Sequence, residues 1–132
     1  MPSPVVTALQ YAIDSSKIEA MYLDRTAEGK FRLGRGFQLT AGKRILLVDD
    51  VFTTGGSRRK AIAACNESVR QGGEECTFVG AAVVLNRVSN SEVFRLATVT
   101  MPLVATVNYP LRDWDESACP YCARNVPLFA VQ

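Results

Sequence analysis

The 132-residue sequence contains no histidine. That absence excludes Ser-His-Asp and Cys-His catalysis within the chain and leaves a carboxylate, or something less usual, as any general base. Long hydrophobic runs are missing too. None approaches the roughly 20 residues a membrane helix needs, and no basic stretch followed by an apolar one opens the chain, so no membrane partner and a cytoplasmic location are expected. Charge of one sign is equally scarce: fifteen Lys and Arg against thirteen Asp and Glu leave +2. This is too little for a general polyanion binder, so nucleic acid is not an expected partner, although local basic clusters remain allowed. Of only four cysteines, Cys119 and Cys122 alone lie close together. They make half a structural zinc site with no histidine to complete it, and a secreted disulfide scaffold would be shorter and denser in cysteine. They read as two thiols in a terminal tail.

The composition, 48% hydrophobic and 21% charged, is that of a globular chain, and the length suits one domain with a real core. We expect a single domain over 1–132 with a carboxyl-terminal tail from 111 to 132. Val5, Val6, Leu9, Ala12 and Ile13 predict an early helix. Ile18 to Leu23 reads as a short strand, followed by a mobile polar loop from Asp24 to Lys30. Arg44 to Val48 is a continuous apolar strand of the kind buried on both faces in parallel sheets, stopping at Asp49-Asp50. A helix is predicted from Arg58 to Gln71, closed by Gly72-Gly73, and further strands from Cys76 to Leu85 and Val99 to Val107. Strands alternating with helices imply an α/β fold with a mostly parallel sheet flanked by helices.

Ligands of open parallel sheets bind beyond the carboxyl ends of the strands. Here a strand ends in two acids and runs through Thr53-Thr54-Gly55-Gly56-Ser57 into a helix. Glycines let backbone approach a ligand, successive amides and a helix amino terminus suit a phosphate monoester, and the hydroxyls add hydrogen bonds. Adjacent carboxylates would repel that phosphate unless they faced a ribose diol or a magnesium ion. Together the parts describe a ribose 5-phosphate site. A solvated strand end followed by an ordinary turn is the bland alternative, which explains each half separately and not the whole run.

The run Ile45-Leu46-Leu47-Val48-Asp49-Asp50-Val51-Phe52-Thr53-Thr54-Gly55-Gly56-Ser57 resembles the motif by which type I phosphoribosyltransferases bind phosphoribosyl pyrophosphate (PRPP). The resemblance extends through Arg35-Gly36-Phe37, Gly42-Lys43, Asn86-Arg87, Cys119-Pro120-Tyr121-Cys122 and Val126-Pro127-Leu128 to the orotate phosphoribosyltransferases. It implies a Rossmann-like core lacking the family's amino-terminal part, which carries the pyrophosphate loop. It also implies that Asp49 and Asp50 hold the ribose hydroxyls and that Val51, Thr53, Thr54, Gly55, Gly56 and Ser57 bind PRPP. Asp24 to Arg35 is similar to the flexible catalytic loop, which makes Arg25 and Lys30 catalytic candidates and Arg32 and Arg35 candidates for neutralising the diphosphate. Arg87 matches a base-contacting arginine, with Asn86 standing where the family usually has Asp. The activity so implied is transfer of ribose 5-phosphate from PRPP, with the magnesium it carries, to a base such as orotate, by a homodimer. The alternative is a catalytically inactive relative that binds PRPP or a nucleotide as a sensor or remnant.

Two other families share fragments of the pattern. A receiver domain also has an apolar strand ending in Asp-Asp, but it needs an acceptor Asp after a later strand, and no Asp occurs between Asp50 and Asp113. A P-loop fails because five residues rather than four separate Gly36 from Gly42, Arg44 stands after Lys43 where Ser or Thr is needed, and the stretch precedes a strand.

Overall fold

The computed structural model describes residues 18–69, 76–88, 93–96, 99–112 and 114–127. The predicted helix from Val5 to Ile13 and the Gly72-Gly73 stop lie outside these residues. Two short strands, β1 (Leu23–Arg25) and β2 (Phe31–Leu33), pair antiparallel. Their turn is closed by Thr26 N–H donating to the Lys30 carbonyl at 2.8 Å and Gly29 N–H to the Thr26 carbonyl at 2.9 Å. Gly29 adopts φ +73° there. The expected strand over Ile18 to Leu23 is thus displaced towards its polar end, and the expected loop is a hairpin. Local backbone pairing outweighs the polarity of 24–30, as turn chemistry often does.

The main sheet comprises β3 (Arg44–Phe52), β4 (Thr77–Asn86), β5 (Val93–Leu96) and β6 (Val99–Asn108). Its order is β3-β4-β6-β5, with β3, β4 and β6 parallel and β5 antiparallel to β6. An α/β fold with a mostly parallel sheet is therefore present, with an antiparallel edge strand that the sequence reading lacked. β3 also continues past Asp49-Asp50, because Val51 and Phe52 still pair with Leu85 and Asn86 of β4.

Between β3 and β4 lies α1 (Gly56–Val69), starting two residues earlier than predicted. Ala61, Ile62, Cys65 and Val69 recur at three- and four-residue spacing and are buried, which gives the helix one apolar stripe against the sheet. Of these, Ala61 and Ile62 join Leu47, Phe52, Ala81, Val83, Met101, Leu103 and Phe94 from the strands in the core. Fully burying a side chain the size of Ile62 contributes about 1.5–3 kcal/mol. Among the described residues no helix is long and apolar enough to cross a membrane.

The chain beyond β6 stays attached to β4, since Leu111 N–H donates to the Arg87 carbonyl at 3.0 Å. Two 3-10 turns follow, Glu116–Ala118 and Cys122–Arg124. Trp114 meets Tyr121 edge-on at 5.8 Å, and the Arg124 guanidinium lies 5.4 Å from the same ring.

Candidate functional site

The pleat of β3 sends successive side chains to opposite faces. Ile45, Leu47 and Asp49 face α1, while Leu46, Val48 and Asp50 face away and are exposed, so β3 is covered on one face and not on the two expected from its apolar run. Asp49 is consequently half-buried and Asp50 exposed. Each carboxylate caps the amide that follows it: Asp50 N–H donates to Asp49 Oδ1 at 3.1 Å and Val51 N–H to Asp50 Oδ1 at 2.7 Å. Burial pushes the Asp49 carboxyl up from the ordinary carboxylate value. The amide of Asp50 and the positive charge of Arg58 act against that rise.

After Phe52 the chain turns through Thr53, Thr54 and Gly55 into α1. Gly55 has φ +77°, and a Cβ placed on it would stand 2.6 Å from Phe94 Cε2 and 3.2 Å from Phe52 Cε2. Glycine is required there by conformation and by space together. Phe52 and Phe94 meet edge-on at 5.9 Å and form the floor under the loop. At Gly56, by contrast, only Thr54 Oγ1 comes within reach, at 3.7 Å. The first helical bond of α1 runs from Arg59 N–H to the Gly55 carbonyl at 3.0 Å. The amides of Gly56, Ser57 and Arg58 precede it and have no acceptor within the helix, which is the usual condition of a helix amino terminus and the physical basis of anion binding there. The acids, the glycine turn and these amides thus occupy one continuous stretch at the carboxyl end of β3, a strand parallel to its neighbour β4.

Arg87 lies beside this stretch, its backbone N–H bonded to the Phe52 carbonyl at 2.9 Å. Its neighbour Asn86 is 1% exposed. Asn86 Nδ2 donates to Asn108 Oδ1 at 2.9 Å, and Asn86 Oδ1 accepts from Val88 N–H at 3.0 Å. It ties the ends of β4 and β6 together. The remaining candidates sit on the hairpin. Arg25, Lys30, Arg32 and Arg35 are all exposed, with the Arg25 guanidinium 5.6 Å from the Phe31 ring and Lys30 N–H donating to Thr26 Oγ1 at 3.2 Å. The hairpin is held to the helix by Lys60 Nζ donating to the Gly29 carbonyl at 2.9 Å. Only Arg87 among the candidate cations is bonded directly to the strand end.

Two residues without an assigned role in the sequence reading belong to this region, Arg58 and Phe94. Arg58 precedes Ile62 by four positions, so helical spacing places it on the buried stripe, a signal its charge concealed. Phe94 sits in a short apolar run, Val93-Phe94, without the length that marks a strand.

No family model matches the chain. Curated proteins do. Orotate phosphoribosyltransferase of Acidithiobacillus ferrooxidans is 33% identical over 106 residues, covering 80% of this chain and 49% of that protein. Its namesake from Novosphingobium aromaticivorans is 39% identical over 99 residues, 75% of this chain and 46% of its own length. That from Pelotomaculum thermopropionicum is 32% identical over 110 residues, 83% and 52% respectively. The chain spans about half the length of the curated relatives it matches. With a mostly parallel α/β sheet and these relatives, the chain belongs to the orotate phosphoribosyltransferase-like members of the type I phosphoribosyltransferase family.

Proposed function

We propose that the chain binds PRPP at the end of β3 and serves in transfer of ribose 5-phosphate to a nitrogenous base, orotate being the base the relatives' name supplies. The observation that carries this reading is the passage from Asp49-Asp50 through the Gly55 turn to the amino terminus of α1. An anion-accepting cradle and two diol-accepting carboxylates stand within nine residues on one strand-to-helix connection. In this reading Thr53, Thr54, Gly55, Gly56 and Ser57 surround the 5-phosphate with amides and hydroxyls, Asp49 and Asp50 take the ribose hydroxyls, and Val51 lines the PRPP site between them. Arg87 reaches the base, while Arg25, Lys30, Arg32 and Arg35 supply positive charge for the departing diphosphate. Magnesium enters with PRPP as part of the substrate. Loss of diphosphate leaves positive charge on the ribosyl carbon, which carboxylates nearby stabilise, and the base nitrogen then completes the bond. A cytoplasmic single-domain chain acting as a homodimer belongs to the same proposal.

A second reading is favoured by the bonds that order the hairpin and fasten it to α1. A segment so held is less suited to closing over a diphosphate, and the chain would then bind PRPP or a nucleotide without turning it over. Calorimetry with PRPP, with and without magnesium, followed by orotate-dependent release of pyrophosphate, separates the readings. Binding with turnover supports the enzyme, and binding without turnover the sensor. No binding by the wild type, or equal affinity after Asp49→Asn with Asp50→Asn, rejects both.

A further inference from the structure

Arg58 is an expensive residue where it stands. It is 2% exposed, and its Nε and Nη2 atoms are buried with no hydrogen-bond partner. Burying a charge is costly, and donors left without a partner add to that cost. As the third residue of α1, it also places a cation at the positive end of the helix dipole, and no acidic residue occupies that first turn to offset it. Its visible compensation within the fold is the Phe52 ring, 4.5 Å from the guanidinium carbon. A cation on an aromatic face is attracted by the ring, more so when desolvated, but this offsets only part of the cost of burial. An unbranched apolar side chain would fill the same space at lower cost, so the fold alone does not account for an arginine.

We propose that Arg58 is a positioning residue for Asp49: its guanidinium, sealed between α1 and β3, is the internal counter-charge against which the half-buried carboxylate is presented to the ligand. The inference rests on the reading of Asp49 as a PRPP ligand. Two geometric facts support it. Arg58 belongs to the buried stripe of α1 with Ala61, Ile62 and Cys65, and Asp49 is on the face of β3 that looks towards that stripe. The two groups nevertheless form no salt bridge within 4.0 Å. A closed bidentate pair would consume the carboxylate oxygens, whereas a charge held behind them orients the group and leaves them available. The other charge acting on Asp49 is its neighbour Asp50, and the β4 residue directly beside it is the apolar Val83. Arg58 and Asp49 also moderate each other's burial: each opposes the loss of charge that desolvation imposes on the other.

Stability and binding should therefore respond in opposite directions. The variants are Arg58→Met, Arg58→Lys, Asp49→Asn and the double Asp49→Asn/Arg58→Met, each followed by thermal unfolding and by calorimetric titration with magnesium PRPP. Arg58→Met is expected to unfold at or above the wild-type temperature yet bind PRPP about tenfold more weakly, about 1.4 kcal/mol. Arg58→Lys, which restores charge without the planar fork, should recover most of that affinity. In the Asp49→Asn background the Met substitution should change affinity by less than about twofold, because coupled residues are non-additive. Unchanged affinity in Arg58→Met, an equal loss in both backgrounds, no rescue by Lys, or failure of Arg58→Met to fold would each overturn the inference while leaving the PRPP site standing. A wild type that does not bind PRPP, or an Asp49→Asn variant that binds it normally, overturns the parent reading as well.

Discussion

Gly55 meets two independent constraints, and a single methyl group violates both. Its φ of +77° disfavours any side chain, and the added Cβ would overlap the Phe94 ring at 2.6 Å. Gly55→Ala is therefore expected to destabilise the fold by about 2 kcal/mol or more and to distort the amide cradle, lowering the urea midpoint and PRPP affinity together. Gly56→Ala has room and should cost less on both measures; equal effects at the two glycines would refute this account of the turn. The cysteines offer a second residue-scale check. Burial pushes the Cys65 thiol from 9.0 to about 11. Cys119 is lowered by the amide of Cys122, and Cys122 is raised by its hydrogen bond to Cys119. Iodoacetamide at neutral pH should thus label Cys119 before Cys122 and spare Cys65. For Cys65 the folded value lies above the unfolded one, so the stability it contributes is complete below pH 9 and lost as pH rises towards 11. Cys65→Val should flatten the decline in denaturant midpoint across that window.

At the scale of elements, Lys60 joins helix and hairpin through the Gly29 carbonyl. Lys60→Met should speed amide exchange in residues 26–30 and leave the α1 amides protected, with a global cost under about 1 kcal/mol because the contact is exposed. Unchanged exchange in the hairpin would mean that β2 packing alone holds it. The same elements show what the sequence made legible. β3 and the loop after it are specified locally, by an uninterrupted apolar run and by residues with few alternatives to a turn, so their place and order follow from the chain itself. Where β3 ends does not. Asp49-Asp50 looks like a stop, but the pairing of Val51 and Phe52 with β4 is a non-local fact. The three residues of β1 and of β2, and the four of β5, are too short to declare a period. Their strand state comes from partners elsewhere in the chain. Within the site, the acids and the cradle were readable as residue types. The burial of Arg58 and the wedge of Phe94 under Gly55 depend on which elements pack together.

For the whole molecule, the sheet presents two different faces. α1 covers one, while on the other Leu46, Val48, Val84 and Val104 are exposed, Val104 at 67%. Register aligns them: Val48 stands beside Ala82 and Ala82 beside Val104, so their side chains share one apolar surface. β3 is moreover an end strand of the sheet order among the described residues, with backbone groups open to pairing on its outer side. Apolar faces and open strand edges of this kind are covered by association in native proteins. We expect a two-fold symmetric dimer in which this face of one copy meets the same face of its partner. Sedimentation equilibrium over a range of concentrations should then show reversible association above the 14.4 kDa monomer. Val104→Lys, which places a charge at the most exposed apolar position, should shift the equilibrium to monomer without lowering the thermal midpoint of dilute protein. A single 14.4 kDa species at every concentration would reject the dimer. If Val104→Lys then also destabilised that monomer, the face would be covered from within the chain.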